Sequence, residues 1–309
     1  MVTKQMQRYV FLALATVAMG FPTAVSAQAE ALQQRVDGEV WEAIQAEFRP
    51  RYEAVVSGPL GSRFNPVRAR KVVGQRRYLG RLICLETGRV LERAQRLGSS
   101  GAHPYRTIKD RYRISCDPDA DPEDEDAYRL VYIDLYHEHI EERPIPGFRI
   151  ISNLIDTLER DQHGLYYERE PGVPGGGKTL ADGVYENTHD GRVTARTTFE
   201  KGRFVAPVET FDEQGTLRSR HEVADGDRNG PLTWYDAEGE IIVQVMKAQG
   251  TDHGPALWFE NGKVKQEGHY YRGIAVGEWT QYNADGEVVN TEFYDGFAEP
   301  RDDEEGEDG

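Results

Sequence analysis

Cysteine, methionine and tryptophan are scarce in this chain of 309 residues (two, four and four), and long apolar runs are confined to its start. Basic residues are also short, with 37 Lys and Arg against 53 Asp and Glu, a net charge of −16. Each shortage excludes something. Two cysteines cannot make a disulfide-dense mini-scaffold, and no CxxC pair is present for a metal or redox centre. A surface this acidic repels phosphate, which argues against nucleic acid and against anionic membrane headgroups as partners. The one apolar segment, 9–21 (YVFLALATVAMGF), is too short for a comfortable membrane span. It follows Lys4 and Arg8 and precedes Pro22 and the small-x-small triplet Val25-Ser26-Ala27, so residues 1–27 read as a signal peptide. Cleavage is expected near Ala27 or Ala29, with an uncleaved anchor as the other reading. The expected location is periplasmic or extracellular. In such an oxidising compartment Cys84 and Cys116 are expected to form one disulfide, the alternative being two buried thiols. The bond would be worth about 3–4 kcal/mol in the chain-entropy account.

Residues 28–179 read as an α+β N-terminal region. Leu32, Val36, Val40, Ile44 and Phe48 recur every four positions, which predicts one helix from Gln28 to about Val55, ended or kinked by Pro50. From about 70 to 142 the pattern reads as β, with strands expected at 78–85, 89–95, 105–116 and 127–137 and a hairpin at Thr87-Gly88. The segment 148–158 fits either strand or helix. Residues 51–113 carry a net charge of +11 and residues 117–142 a net of −10, two blocks that most simply neutralise each other in the fold. A Gly-Pro-rich linker is expected at about 171–179, and 297–309 reads as a disordered acidic tail.

The strongest signal lies over 180–296. Gly191, Gly215, Gly239, Gly262 and Gly286 are spaced 24, 24, 23 and 24 apart, and Gly202, Gly226, Gly250, Gly273 and Gly296 are spaced 24, 24, 23 and 23. An aromatic column (Phe211, Tyr235, Phe259, Tyr282) and an aliphatic one (Val193, Leu217, Ile241, Val264, Val288) keep the same period. In Trp258-Phe259-Glu260-Asn261-Gly262-Lys263-Val264 an aromatic strand meets a two-residue Asn-Gly turn, and Asp190-Gly191 and Asp285-Gly286 repeat that chemistry. A lone hairpin is marginal in water, so several must stack. The expected fold is therefore α+β: an N-terminal helix and small β-rich region, then an elongated antiparallel sheet of tandem hairpins.

Glu267-Gly268-His269-Tyr270-Tyr271-Arg272-Gly273, Gly277-Glu278-Trp279 and Tyr282-Asn283-Ala284-Asp285-Gly286 resemble the glycine-aromatic pattern of MORN repeats. Trp258 to Lys263 is similar to the divergent bacterial, antitoxin-like variant of that family. The resemblance is clearest over 231–296 and absent over 28–179. It implies a twisted antiparallel sheet that binds protein partners, and brings no catalytic residues. Some members are linked to membrane lipids, which the net charge of −10 over 180–296 does not favour.

Other motifs carry less. Gly172 to Thr179 fits G-x-x-x-x-G-K-[ST], but a phosphate loop needs an apolar strand before it and a helix after it, and neither context is present. His137 and His139 have strand spacing for a shared metal but no third ligand. The acidic loop 117–126 has Pro122 and Tyr128 where a calcium loop of the EF-hand type needs Gly and a bidentate acid. No metal and no cofactor is therefore expected. The candidate binding residues are Trp234, Tyr235, Trp258, Phe259, Tyr270, Trp279 and Tyr282, expected to line a groove unless they form the inter-repeat core. The favoured reading is a non-enzymatic scaffold for a protein partner in the cell envelope, with a neutral glycan as the other ligand class. The alternatives are an envelope-acting hydrolase with its site in 28–179 and repeats presenting substrate, and an antitoxin-like neutralising module.

Overall fold

The computed structural model describes residues 23–137, 141–170 and 179–298, with side chains from Glu30 onward. Most of the signal segment, His139, nearly all of the Gly-Pro-rich linker and residues 299–309 fall outside the described residues. The described residues begin with two helices, α1 (Thr23–Val36) and α2 (Glu39–Val55). This corrects the expectation of one helix. Gly38 sits in extended backbone (φ −86°, ψ 150°) and separates them. Pro50 lies inside α2 without ending it. Phe48 and Val55, buried on either side of it, hold the helix against a cost of about 3 kcal/mol.

There follow β1 (Val67–Arg68), α3 (Lys71–Leu79), β2 (Leu82–Cys84), β3 (Arg93–Ser99), β4 (Lys109–Ser115), β5 (Arg129–Asp134), β6 (Phe148–Ile151), β7 (Leu158–Arg160) and β8 (Tyr166–Glu168). They form two small sheets ordered β1-β5-β4-β3 and β2-β6-β7-β8. Helix α3 is a second correction, since β was expected there. Gln75, Tyr78 and Leu79 are buried at helical spacing, whereas Val72 and Val73, which favoured a strand, face solvent, Val73 at 75% exposure. Thr87-Gly88 makes a turn, with the Gly88 amide on the Cys84 carbonyl, but the expected hairpin shrinks to the bridge between Ile83 and Val90, because β2 pairs with β6 and β3 with β4. The ambiguous stretch 148–158 contains β6 and reaches the start of β7, which pair antiparallel.

Cys84 and Cys116 are bonded, which joins β2 of one small sheet to the end of β4 in the other. The charge blocks meet as well. Arg68 pairs with Glu141 and Arg81 with Glu142, while Arg93 donates to the carbonyls of Pro118 and Ala120 in the acidic loop. Inside that loop Asp117, Asp121 and Asp124 accept amides two residues on, so their carboxylates cap its own turns.

The array comprises β9 (Gly183–His189), β10 (Arg192–Glu200), β11 (Arg203–Phe204), β12 (Val208–Phe211), β13 (Leu217–His221), β14 (Gly230–Tyr235), β15 (Ile241–Ala248), β16 (Thr251–Glu260), β17 (Lys263–Tyr271), β18 (Ile274–Tyr282) and β19 (Val288–Tyr294). These eleven strands form one antiparallel sheet, as the repeats predict. All ten periodic glycines have positive φ, from 75° to 86°. That conformation is open to glycine without a Cβ penalty, which accounts for the period. The turns are of two kinds, a refinement of the expected single kind. At Asp190-Gly191 and Asn261-Gly262 both residues have positive φ. At Gly215, Gly239 and Gly286 only the glycine does, and Asp212, Asp236 and Asn283 instead accept two amides each across the turn. The aromatic and aliphatic columns pair directly: Phe211 with Leu217, Tyr235 with Ile241, Phe259 with Val264 and Tyr282 with Val288.

Helices α1 and α2 lie on one face of this sheet. Leu32 packs with Ile241, Leu257 and Phe259, and Trp41, Ile44 and Phe48 pack with Tyr271, Val276 and Phe297. Phe297 is fully buried, which removes it from the expected tail. Its neighbour Ala298 donates to the Pro104 carbonyl.

Candidate functional site: the uncovered face of the repeat sheet

Residues directly opposite each other on paired antiparallel strands share a face. One row across the sheet runs Trp234, Val243, Trp258, Gln266, Gln281, Asn290. The adjoining row on the other face runs Thr233, Gln244, Leu257, Glu267, Thr280, Thr291. Leu257 packs on Leu32, so the second row belongs to the face on which the helices lie and the first to the opposite, outer face.

The seven aromatics expected to line one groove are therefore divided. Tyr235, Phe259 and Tyr282 belong to the helix-covered face, with Phe259 in its core. Tyr282 donates to Glu267, which also pairs with Arg35 of α1 at 2.5 Å. Burial, and then the bond to Glu267, push its phenol up to about 12. Strand periodicity already separates neighbours such as Trp234 and Tyr235, but repeat columns alone do not say which face is covered.

Trp234, Trp258, Tyr270 and Trp279 are on the outer face. Trp279 is their centre: its ring lies 5.4 Å from Trp258, 5.1 Å from Tyr270 and 5.8 Å from Tyr294. Gly268 makes this possible, because a Cβ there would fall 2.2 Å from the indole. The indole Nε1 is buried with no acceptor among the described residues. Trp234 stands apart in sequence and is 43% exposed.

Beside Trp279 opens a cleft of about 530 Å³. Tyr270, Trp279, Phe293 and Tyr294 of the array form one side, and Tyr105, Arg106, Thr107 and Tyr136 of the N-terminal region the other. Arg106 pairs with Asp295 across it at 2.7 Å, so the wall carries both signs of charge. Thr107 and His137 also line the cleft, and both meet the buried Asp134, which accepts from Thr107 at 2.5 Å and lies 2.9 Å from His137 Nε2. Burial, opposed by the bond to Asp134, keeps the His137 imidazole below its ordinary pKa. The cleft residues outside the repeats, and Phe293 and Tyr294, escaped sequence reasoning because none belongs to a periodic column.

The phosphate-loop-like segment 172–179 lies almost wholly outside the described residues, but β8 precedes it and the extended segment of β9 follows, with no helix between Thr179 and β9. Among the described residues no group of three or more His, Cys, Asp or Glu is gathered as metal ligands. Nor is any helix among them long and apolar enough to cross a membrane.

Residues 253–270 match the MORN repeat variant family. They span most of β16, the Asn261-Gly262 turn and most of β17, and include Trp258, Phe259, Gly268 and Tyr270. The chain carries a MORN-type repeat. Among curated proteins none matches it in sequence. The MORN hairpin sits under α1 and α2 on one face and supplies part of the aromatic cluster on the other. Its neighbours repeat its strand pairing and its glycine turns through the array.

Proposed function

We propose that this protein is an exported MORN-type scaffold that holds a protein partner on the outer face of its sheet. The observation that carries this is the division of the sheet into a face sealed by α1 and α2 and a face where Trp258, Tyr270, Trp279 and Tyr294 cluster beside a cleft. Clustered aromatics in partly desolvated pockets are typical anchors of protein interfaces. The neutralised Arg106–Asp295 pair suits an uncharged segment of the partner. An antitoxin-like role is the same surface with a toxin as its partner.

The test uses the full chain, because removing residues before 180 would expose Leu257, Phe259 and Tyr271. A photo-cross-linking residue at Trp258 in the native compartment should capture a protein, and Trp279→Ala should abolish the capture. Capture by the same probe at Gln244, on the face where the helices lie, but not at Trp258 would overturn the reading. A polysaccharide captured at Trp258 would favour the neutral-glycan alternative.

The hydrolase alternative draws on one observation, the pairing of His137, which lines the cleft, with the buried Asp134. If it holds, His137→Gln abolishes turnover of envelope material with the fold intact. If the scaffold reading holds, that substitution leaves partner capture at Trp258 in place.

A further inference from the structure

We infer that the outer edge of β19 pairs with the β19 edge of a second copy, antiparallel about a two-fold axis at Thr291. This goes beyond the partner-binding face, since it concerns the sheet's last strand and needs no other protein.

Strand β19 pairs with β18 on one side, and among the described residues no strand pairs with its other side. All seven of its residues are exposed. Val288 and Val289 are 59% and 60% exposed, and Phe293 is 60% exposed. A long, apolar, unblocked edge is a template for another strand, and soluble proteins ordinarily guard against it with Lys, Pro or an inward charge. Residues 288–294 (VVNTEFY) contain none of these guards except Glu292.

The order of residues selects the occupant. About a two-fold axis at Thr291, Thr291 meets its own copy, Asn290 meets Glu292, and Val289 meets Phe293, the last two pairs occurring twice. The apolar pair is β-branched against aromatic, a favourable cross-strand combination. The only acid within these five positions faces an amide and not another acid. Residues 289, 291 and 293 alternate with 290 and 292, so each pair matches face to face. The sheet's other edge, β9, offers no such match. Its one strongly exposed large apolar residue is Val184, and it presents Glu186 and His189. Pairing β19 to β9 would also generate an open filament, whereas the two-fold arrangement closes as a dimer.

Both copies are strongly acidic, with a net charge of −16 each, so their mutual repulsion weakens as salt screens it. Association should therefore strengthen with ionic strength.

Sedimentation equilibrium of the full chain at low and high salt, without any partner, tests this. A dimer that tightens with salt is expected. Val289→Lys and Phe293→Lys should each weaken it about tenfold, with circular dichroism and melting temperature unchanged because both sites are exposed. Register is read by oxidative cross-linking. Thr291→Cys should cross-link to itself, Val289→Cys alone should not, and a mixture of Val289→Cys with Phe293→Cys chains should form the mixed dimer. A monomer at all salt concentrations, a dimer indifferent to both lysine variants, or self-cross-linking by Val289→Cys in preference to Thr291→Cys would each overturn the inference.

Discussion

The two columns of turn glycines have the same period and the same backbone conformation, yet they live in different surroundings. A Cβ built on Gly191, Gly215, Gly239, Gly262 or Gly286 would meet nothing within 4 Å. At the other end of the strands, a Cβ on Gly202 would lie 2.8 Å from the Tyr166 carbonyl and from Leu180, and one on Gly250 would press on Arg228. That end is also where the N-terminal region takes hold. The Tyr166 amide donates to the Gly202 carbonyl, Arg160 pairs with Asp227 at 2.7 Å, and Arg68 donates to the Arg272 carbonyl. The same residue type is therefore required for backbone reasons alone in one column, and for backbone and packing together at Gly202, Gly226, Gly250 and Gly296 in the other.

Substitution separates the two requirements. Gly202→Ala is expected to cost about 2–5 kcal/mol, combining a left-handed alanine with overpacking against Tyr166, as read from urea midpoints. Loss of the disulfide in Cys84→Ser/Cys116→Ser should cost about 3 kcal/mol. That variant strikes the N-terminal region which grips the packed end, so hydrogen exchange should rise at Gly202 and Gly273 more than at Gly215 and Gly239. Acidification should act over a range of pH and at the helix-covered face. Burial, aided by Arg272 and Arg49 at His253 and opposed by Glu267 at His269, brings both imidazoles down to about 4, and both rings lie against Trp41. Unfolded histidine titrates near 6.5, so below that pH the unfolded chain takes up protons that the folded one refuses, and stability falls between about pH 6.5 and 4. His253→Gln with His269→Gln should flatten that part of the melting profile; an unchanged slope would remove the histidines from the account. Smallest of all, Gly215→Ala should cost about 1–2 kcal/mol, the backbone term alone. Equal losses for Gly202→Ala and Gly215→Ala would erase the distinction between the columns.

Much of this architecture was legible in the residues themselves. Glycine at a positive φ has no good substitute, so the turns left a period, and the disulfide was expected from two cysteines read as lying in an oxidising compartment. The faces were not legible. Tyr235 and Trp234 are adjacent aromatics on opposite sides, and only the position of Leu32 and Trp41 says which side is sealed. Helix α3 was missed because Val72 and Val73 favour a strand locally, while Tyr78 and Leu79, which decide the matter, are buried by distant residues of the same core. Phe297 was lost in an acidic run although a single aromatic there anchors the end of the array. The cleft joins residues near 105, 136 and 294, a combination that no spacing encodes.

The hold of the N-terminal region on both ends of the array makes it a ruler. One grip is at Gly202 and Asp227, the other at Arg272 and Asp295, where Arg106 reaches across. Each added hairpin would widen the sheet by about 10 Å, twice the distance between neighbouring strands. A chain that gained or lost one unit between those grips could keep only one of them. Tandem repeats usually vary freely in number by duplication and loss; in this protein the count is tied to a second structure that does not repeat.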